Sequence, residues 1–117
     1  MDEHHEMTEI SFNDIEYSED LVVLYDGEPL TGRVVDRDDD GRIVRELEFL
    51  EGFQEGPERI YHPNGQLQSE RMIDTGLASG PARTWYENGQ LESESVYRNG
   101  RIISQKKWSE NGQPLPQ

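Results

Sequence analysis

Glycines fall on a 24-residue lattice through most of this 117-residue chain: Gly32, Gly56 and Gly80 in one series, Gly41, Gly65 and Gly89 in a second, Gly52, Gly76 and Gly100 in a third. Three series in phase identify a repeat protein, and arrays of this kind stack small units into an extended surface, seldom around a deep catalytic pocket. The units read GRVVDRDDDGRIVRELEFLEGFQE (32–55), GPERIYHPNGQLQSERMIDTGLAS (56–79) and GPARTWYENGQLESESVYRNGRII (80–103). A shortened fourth, SQKKWSENGQPLPQ, follows. Its Gly112 lies 23 residues after Gly89, so one residue is missing from the connector before it.

Each unit reads as a β-hairpin. Asn64-Gly65, Asn88-Gly89 and Asn111-Gly112, with Asp40-Gly41 in the first unit, are the preferred centre of a type I′ turn, which needs positive φ at both residues. Strand-type residues flank them, and Gly52, Gly76 and Gly100 turn the chain into the next hairpin. Pro57 and Pro81 suit the start of a strand. Helical periodicity is absent, which predicts a meander of about eight or nine short antiparallel strands.

Three side-chain columns accompany the glycines. Tyr61, Trp85 and Trp108 precede the turns; Ile43, Leu67 and Leu91 follow them; Phe49, Ile73 and Tyr97 lie near the end of the second strand. Stacked cross-strand neighbours of this type stabilise a sheet. The domain reading is an acidic N-terminal segment, 1–20, disordered over Met1–Glu6, and a repeat domain, 21–117. Ile10–Tyr17 adds a strand or cap, and Leu21–Tyr25 with Asp26-Gly27 is a strand and turn leading into Gly32.

Hydrophobic residues make up only 32% of the chain, which favours a thin layer over a compact ball. Cysteine is absent, so disulfides and thiol chemistry are excluded, and a cytoplasmic location fits. No apolar run approaches the roughly 18 residues of a membrane span, and the acidic N-terminus is unlike a signal peptide. The net charge of −14 is lopsided: residues 1–55 hold 18 Asp/Glu against 4 Arg, and residues 56–117 hold 7 of each sign. Such an acidic half repels phosphate backbones and anionic lipids and speeds encounter with a basic partner.

Motifs for chemistry are sparse. Asp36-x-Asp38-x-Asp40-Gly41 opens like a calcium loop, yet the bidentate Glu at position twelve is replaced by Leu47, and the repeat makes Asp38–Gly41 a hairpin turn. His4-His5 with Glu3 and Glu6 sits on a tail that does not preorganise metal ligands. His62 aligns with Tyr86 and reads as a strand residue. Glu46, Glu70 and Glu94 recur once per unit, the mark of a structural column answering Arg45, Arg71 or Arg59. No metal, cofactor or catalytic set is expected. The Tyr61, Trp85 and Trp108 ladder reads as packing, or as aromatic anchors of a binding groove.

YENGQLESESVYRNGR, HPNGQLQSE and the entry segment LYDGEPLTG resemble the MORN-type repeat, and more closely the bacterial MORN-repeat antitoxin family of the YwqK type, over about residues 21–113. The first unit departs most, with Asp38 to Asp40 before its turn. The resemblance implies an all-β fold, a curved, open, single-layer antiparallel meander of β-hairpin repeats, and a non-catalytic role. Its members are thought of as antitoxins or immunity proteins that neutralise a cognate bacterial toxin by direct contact. On that reading the partner is a basic protein toxin, with neither nucleic acid nor membrane bound. The contacts are Asp36, Asp38, Asp39, Asp40, Glu46 and Glu48 of the acidic half, with Tyr61, Trp85 and Trp108. The competing class is a MORN-type scaffold or adaptor, for which only Arg98, Arg101, Lys106 and Lys107 gather a basic surface.

Overall fold

The computed structural model describes residues 9–116. The strands are β1 (Glu9–Ser11), β2 (Ile15–Tyr17), β3 (Val23–Tyr25), β4 (Glu28–Pro29), β5 (Gly32–Arg37), β6 (Ile43–Leu50), β7 (Phe53–Gln54), β8 (Gly56–Tyr61), β9 (Leu67–Asp74), β10 (Leu77–Trp85), β11 (Leu91–Arg98) and β12 (Arg101–Lys107). A 3-10 turn, Phe12–Asp14, separates β1 from β2. The main sheet runs β1-β5-β6-β8-β9-β10-β11-β12, with β7 also on β6, and every pairing except β1 with β5 is antiparallel. The hairpin meander is therefore present, as an open nine-stranded sheet. The expected tail, Met1–Glu6, lies outside the described residues.

The type I′ turns expected within the hairpins are not found there. At Asp40-Gly41, Asn64-Gly65, Asn88-Gly89 and Asn111-Gly112 only the glycine has positive φ: Gly41 (85°), Gly65 (88°), Gly89 (88°) and Gly112 (88°). Gly65 N–H donates to the His62 carbonyl (2.9 Å) and His62 N–H to the Gln66 carbonyl (2.8 Å), the pattern of a type I turn closed by a left-handed glycine bulge. The same pair of bonds recurs at Asp38–Arg42, Tyr86–Gln90 and Ser109–Gln113. Pro63 sits where a type I turn favours proline, and the Asn64 side chain accepts from Gln66 N–H (2.9 Å). The type I′ turns are the connectors: Asp26-Gly27, Glu51-Gly52, Thr75-Gly76 and Asn99-Gly100 all have positive φ at both residues.

Connector turns also join the units. Gly52, Gly76 and Gly100 donate N–H bonds to the carbonyls of Leu30, Gln54 and Ala78, at 2.7, 2.9 and 2.9 Å. The β3–β4 hairpin, turning at Asp26-Gly27, thus occupies the place of a preceding unit. Gly80-Pro81 lies inside β10, where Ala78 pairs with Ile73 and Ala82 with Arg71. The three residues between them face Met72 alone, a bulge of the kind that admits proline in a strand and bends it. In β12, Ile102 pairs with Tyr97 and Ser104 with Val96, leaving Ile103 as the extra residue. The residue missing from the fourth unit is thus missing from this bulge.

Register and the alternation of side chains divide the main sheet into two faces. One carries Val34, Leu47 and Phe49, and a small β2-β3-β4 sheet caps this end of it. Ile10, Val23, Leu30, Val34, Leu47 and Phe49 form the core, with Phe12 and Ile15 packed against it. Farther along the array this face turns polar: Ile73 and Ala78 are buried, then Ser93 and Ser95. The apolar core is therefore concentrated at the N-terminal end, which fits the low hydrophobic content.

Candidate functional site

The second face carries a row of charged residues, one from each of six strands, in register. Glu46 faces Arg59, Arg59 faces Glu70, Glu70 faces Arg83, Arg83 faces Glu94, and Glu94 faces Lys106. Arg59 donates to Glu70 at 2.7 Å and Arg83 to Glu94 at 3.0 Å, while Glu46 takes Arg33 as its partner. Opposite charges directly across a strand pair stabilise it by about 0.2–1 kcal/mol each. The recurring glutamates are thus sheet residues, and of the three arginines expected to answer them only Arg59 does. Arg45 and Arg71 lie on the core face, paired with Asp36 (3.4 Å) and Glu58 (2.5 Å). Arg45 also stacks over the Phe12 ring, 4.3 Å from its centroid.

The candidate carboxylates do not form one patch. Asp36 is on the core face, held by Arg45. Asp38, Asp39 and Asp40 form the tip of the β5–β6 turn. The Asp38 carboxylate accepts the N–H bonds of Asp40 and Arg42 (both 2.9 Å), which hold its pKa below the usual range, and it and Asp40 pair with Arg42. The calcium-loop spacing therefore describes a capped turn with Asp36 facing elsewhere. Glu46 and Glu48 share the ladder face, but Glu46 is committed to Arg33 and to the Tyr61 hydroxyl. Burial opposes the Glu46 charge, and the hydrogen bonds from Tyr61 and Arg33 outweigh it, so its pKa falls below the ordinary value. Among the described residues Asp39 and Glu48 have no ion-pair partner.

Tyr61, Trp85 and Trp108 are half-buried, Tyr61 and Trp85 at the turn-proximal ends of β8 and β10 and Trp108 just beyond the end of β12. Tyr61 is fixed by Glu46; burial and that hydrogen bond push its phenol up to about 12. At the same end of the sheet, side chains bridge successive units. His62 contacts the Trp85 carbonyl through Nε2 (2.8 Å), and Tyr86 donates to the Trp108 carbonyl (2.7 Å). Asn64 and Asn88 donate to the carbonyls of Glu87 and Glu110, each at 3.0 Å. The aromatic column therefore sits in a spine that locks unit to unit and leaves part of each ring exposed.

Two features of this face are absent from the sequence reading. An apolar row of Pro57, Met72, Pro81 and Val96 runs beside the charged ladder, with Met72 43% and Val96 39% exposed. Exposed Leu50, Phe53 and Leu77 lie beyond it at the connector turns. Their signal was the same 24-residue spacing, in Pro57 with Pro81, Met72 with Val96 and Phe53 with Leu77. No helix among the described residues is long and apolar enough to cross a membrane.

Against known protein families, residues 54–73 and 79–99 match the MORN repeat variant. Neither the curated proteins nor the solved structures yield a match. The two matched stretches are the second and third units, those with the most regular turns, ladder and spine. A repeat of this type goes with a binding or scaffolding role.

Proposed function

We propose that the protein is a non-catalytic binding protein of the antitoxin or immunity type, which neutralises a basic bacterial toxin by direct contact from its acidic N-terminal half. The observation that carries this reading is the presentation of charge there. The Asp38–Asp40 tip projects from the sheet end of the β5–β6 hairpin, Glu48 lies on the ladder face of β6, and Asp39 and Glu48 have no ion-pair partner among the described residues. An acidic surface of this kind steers a basic protein and occludes its cationic site. Asp36 and Glu46, held by internal arginines, serve mainly to shape the first unit. Tyr61, bonded to Glu46, supplies a ring edge next to it, and Trp85 and Trp108 continue the column away from it towards β12. The location that suits this role is the cytoplasm.

Growth tests the reading. A toxin domain encoded beside this chain, expressed alone, should arrest growth, and co-expression of this chain should relieve the arrest. Relief unchanged by Asp38→Asn, Asp39→Asn, Asp40→Asn and Glu48→Gln together counts against the acidic contact. A neighbouring gene without a toxin domain favours the scaffold reading, which draws on the unpaired cations of β11 and β12.

A further inference from the structure

The charged ladder alternates in sign from Glu46 to Lys106, and it ends on a base at the outermost strand of the sheet. β12 pairs with β11 on one side. On its other side, among the described residues, Leu115 N–H donates to the Lys107 carbonyl (2.9 Å) and Pro114 bridges Trp108. That bond fixes which backbone groups point outward. Lys107 faces out and Trp108, bonded to the Glu92 carbonyl (2.9 Å), faces in; strict alternation then turns Gln105 outward as well. An edge with outward donors and acceptors is a template for another strand.

The side chains along this edge select what can pair. All seven basic residues from Arg33 to Arg83 sit in ion pairs, whereas Arg98, Arg101, Lys106 and Lys107 have none among the described residues, and all four are exposed. Lys106 and Lys107 project to opposite faces, so the cations line an edge and do not form the flat basic patch that a bilayer surface requires. A shallow depression lined by Glu94, Val96, Ser104, Gln105 and Lys106 runs along the ladder side of the edge. A second copy docking by the same edge would set like charges opposite one another, which destabilises a strand pair.

We propose that the free edge of β12 docks an extended acidic segment of a partner protein, which adds as a further strand and sets a carboxylate opposite Lys106. Main-chain bonds to the N–H and carbonyl of Gln105 and to the N–H of Lys107, whose carbonyl is held by Leu115, supply affinity, and the unpaired cations supply specificity. This inference does not rest on the toxin reading, since it lies at the opposite end of the sheet and takes a partner of opposite charge.

The test uses the full chain and a labelled short peptide of alternating threonine and glutamate, with a threonine–lysine peptide as control. Fluorescence anisotropy should show binding of the acidic peptide alone, weakening as salt rises, with slowed amide exchange at Gln105 and Lys107. Lys106→Glu with Lys107→Glu should weaken it by about tenfold or more, since rim charges facing like charges lose their attraction. Gln105→Pro removes the outward N–H at a position where an edge strand tolerates proline, and should weaken binding with the thermal midpoint preserved. If that variant does not fold, the lysine pair decides. The proposal is overturned by no acidic-peptide binding, by binding without slowed exchange, or by binding indifferent to the lysine pair. It is also overturned by a dimer that protects the same amides without peptide, or by capture on phosphatidylserine vesicles with no peptide binding.

Discussion

At the scale of single residues, Glu46 and Tyr61 are the most informative pair. Glu46 anchors the first rung of the charged ladder, and Tyr61 begins the aromatic column, so their hydrogen bond ties the two rows together. Because the Tyr61 phenol is held at about 12, its contribution to stability is complete below the ordinary tyrosine range and is lost as pH rises towards that value. Absorbance titration of the tyrosines should show a component near pH 12 that disappears in Tyr61→Phe, and that variant should lose about 1–2 kcal/mol in urea unfolding at neutral pH. Glu46 and Glu58 act in the opposite sense. Both carboxyls are depressed, since hydrogen bonds and arginine charges overcome burial, so their contribution holds at neutral pH and drains away on acidification. The urea midpoint should fall below about pH 4, and less steeply in Glu46→Gln.

At the scale of the hairpin, two turn types divide the work. The three-residue loops use one left-handed glycine each, and the connectors demand positive φ of two successive residues. Thr75, at φ 48°, is a β-branched residue in a region such residues avoid. Thr75→Asn should therefore stabilise the protein by about 0.5–1 kcal/mol in urea unfolding, because asparagine accepts this conformation; an unchanged or lower midpoint would refute that assignment. The hairpins themselves were legible in the glycine lattice. The turn types were not, because Asn-Gly is a good signal for either geometry and only loop length separates them. Pro63, rigid at the first loop position, was the available clue. The ladder was half legible: the glutamate column was read, but its arginine partners depend on register, which a bulge in the hairpin of each of the three full units shifts. The candidate acidic surface was the least legible, since composition counts charges and does not say that Asp36 and Glu48 face opposite ways.

Across the whole molecule, apolar packing and acidic charge coincide at one end, and unpaired basic charge marks the other. The N-terminal cap and first unit share an apolar cluster, and the later units depend on their neighbours, as in other repeat arrays. Leu47→Ala should cost about 2–5 kcal/mol, as a buried leucine truncation does, and amide exchange should be slowest in β5 and β6 and faster towards β12. Slow exchange centred on β11 would place the stable nucleus elsewhere. The two proposed interactions follow the same polarity, an acidic end for a basic partner and a cationic edge for an acidic strand. The most direct test of the binding account is the affinity for the neighbouring toxin domain as a function of salt. The account predicts tight binding that weakens steeply with salt, and a loss of both affinity and salt dependence when Asp38, Asp39, Asp40 and Glu48 become amides. Equal affinity and equal salt dependence in the two proteins would contradict it.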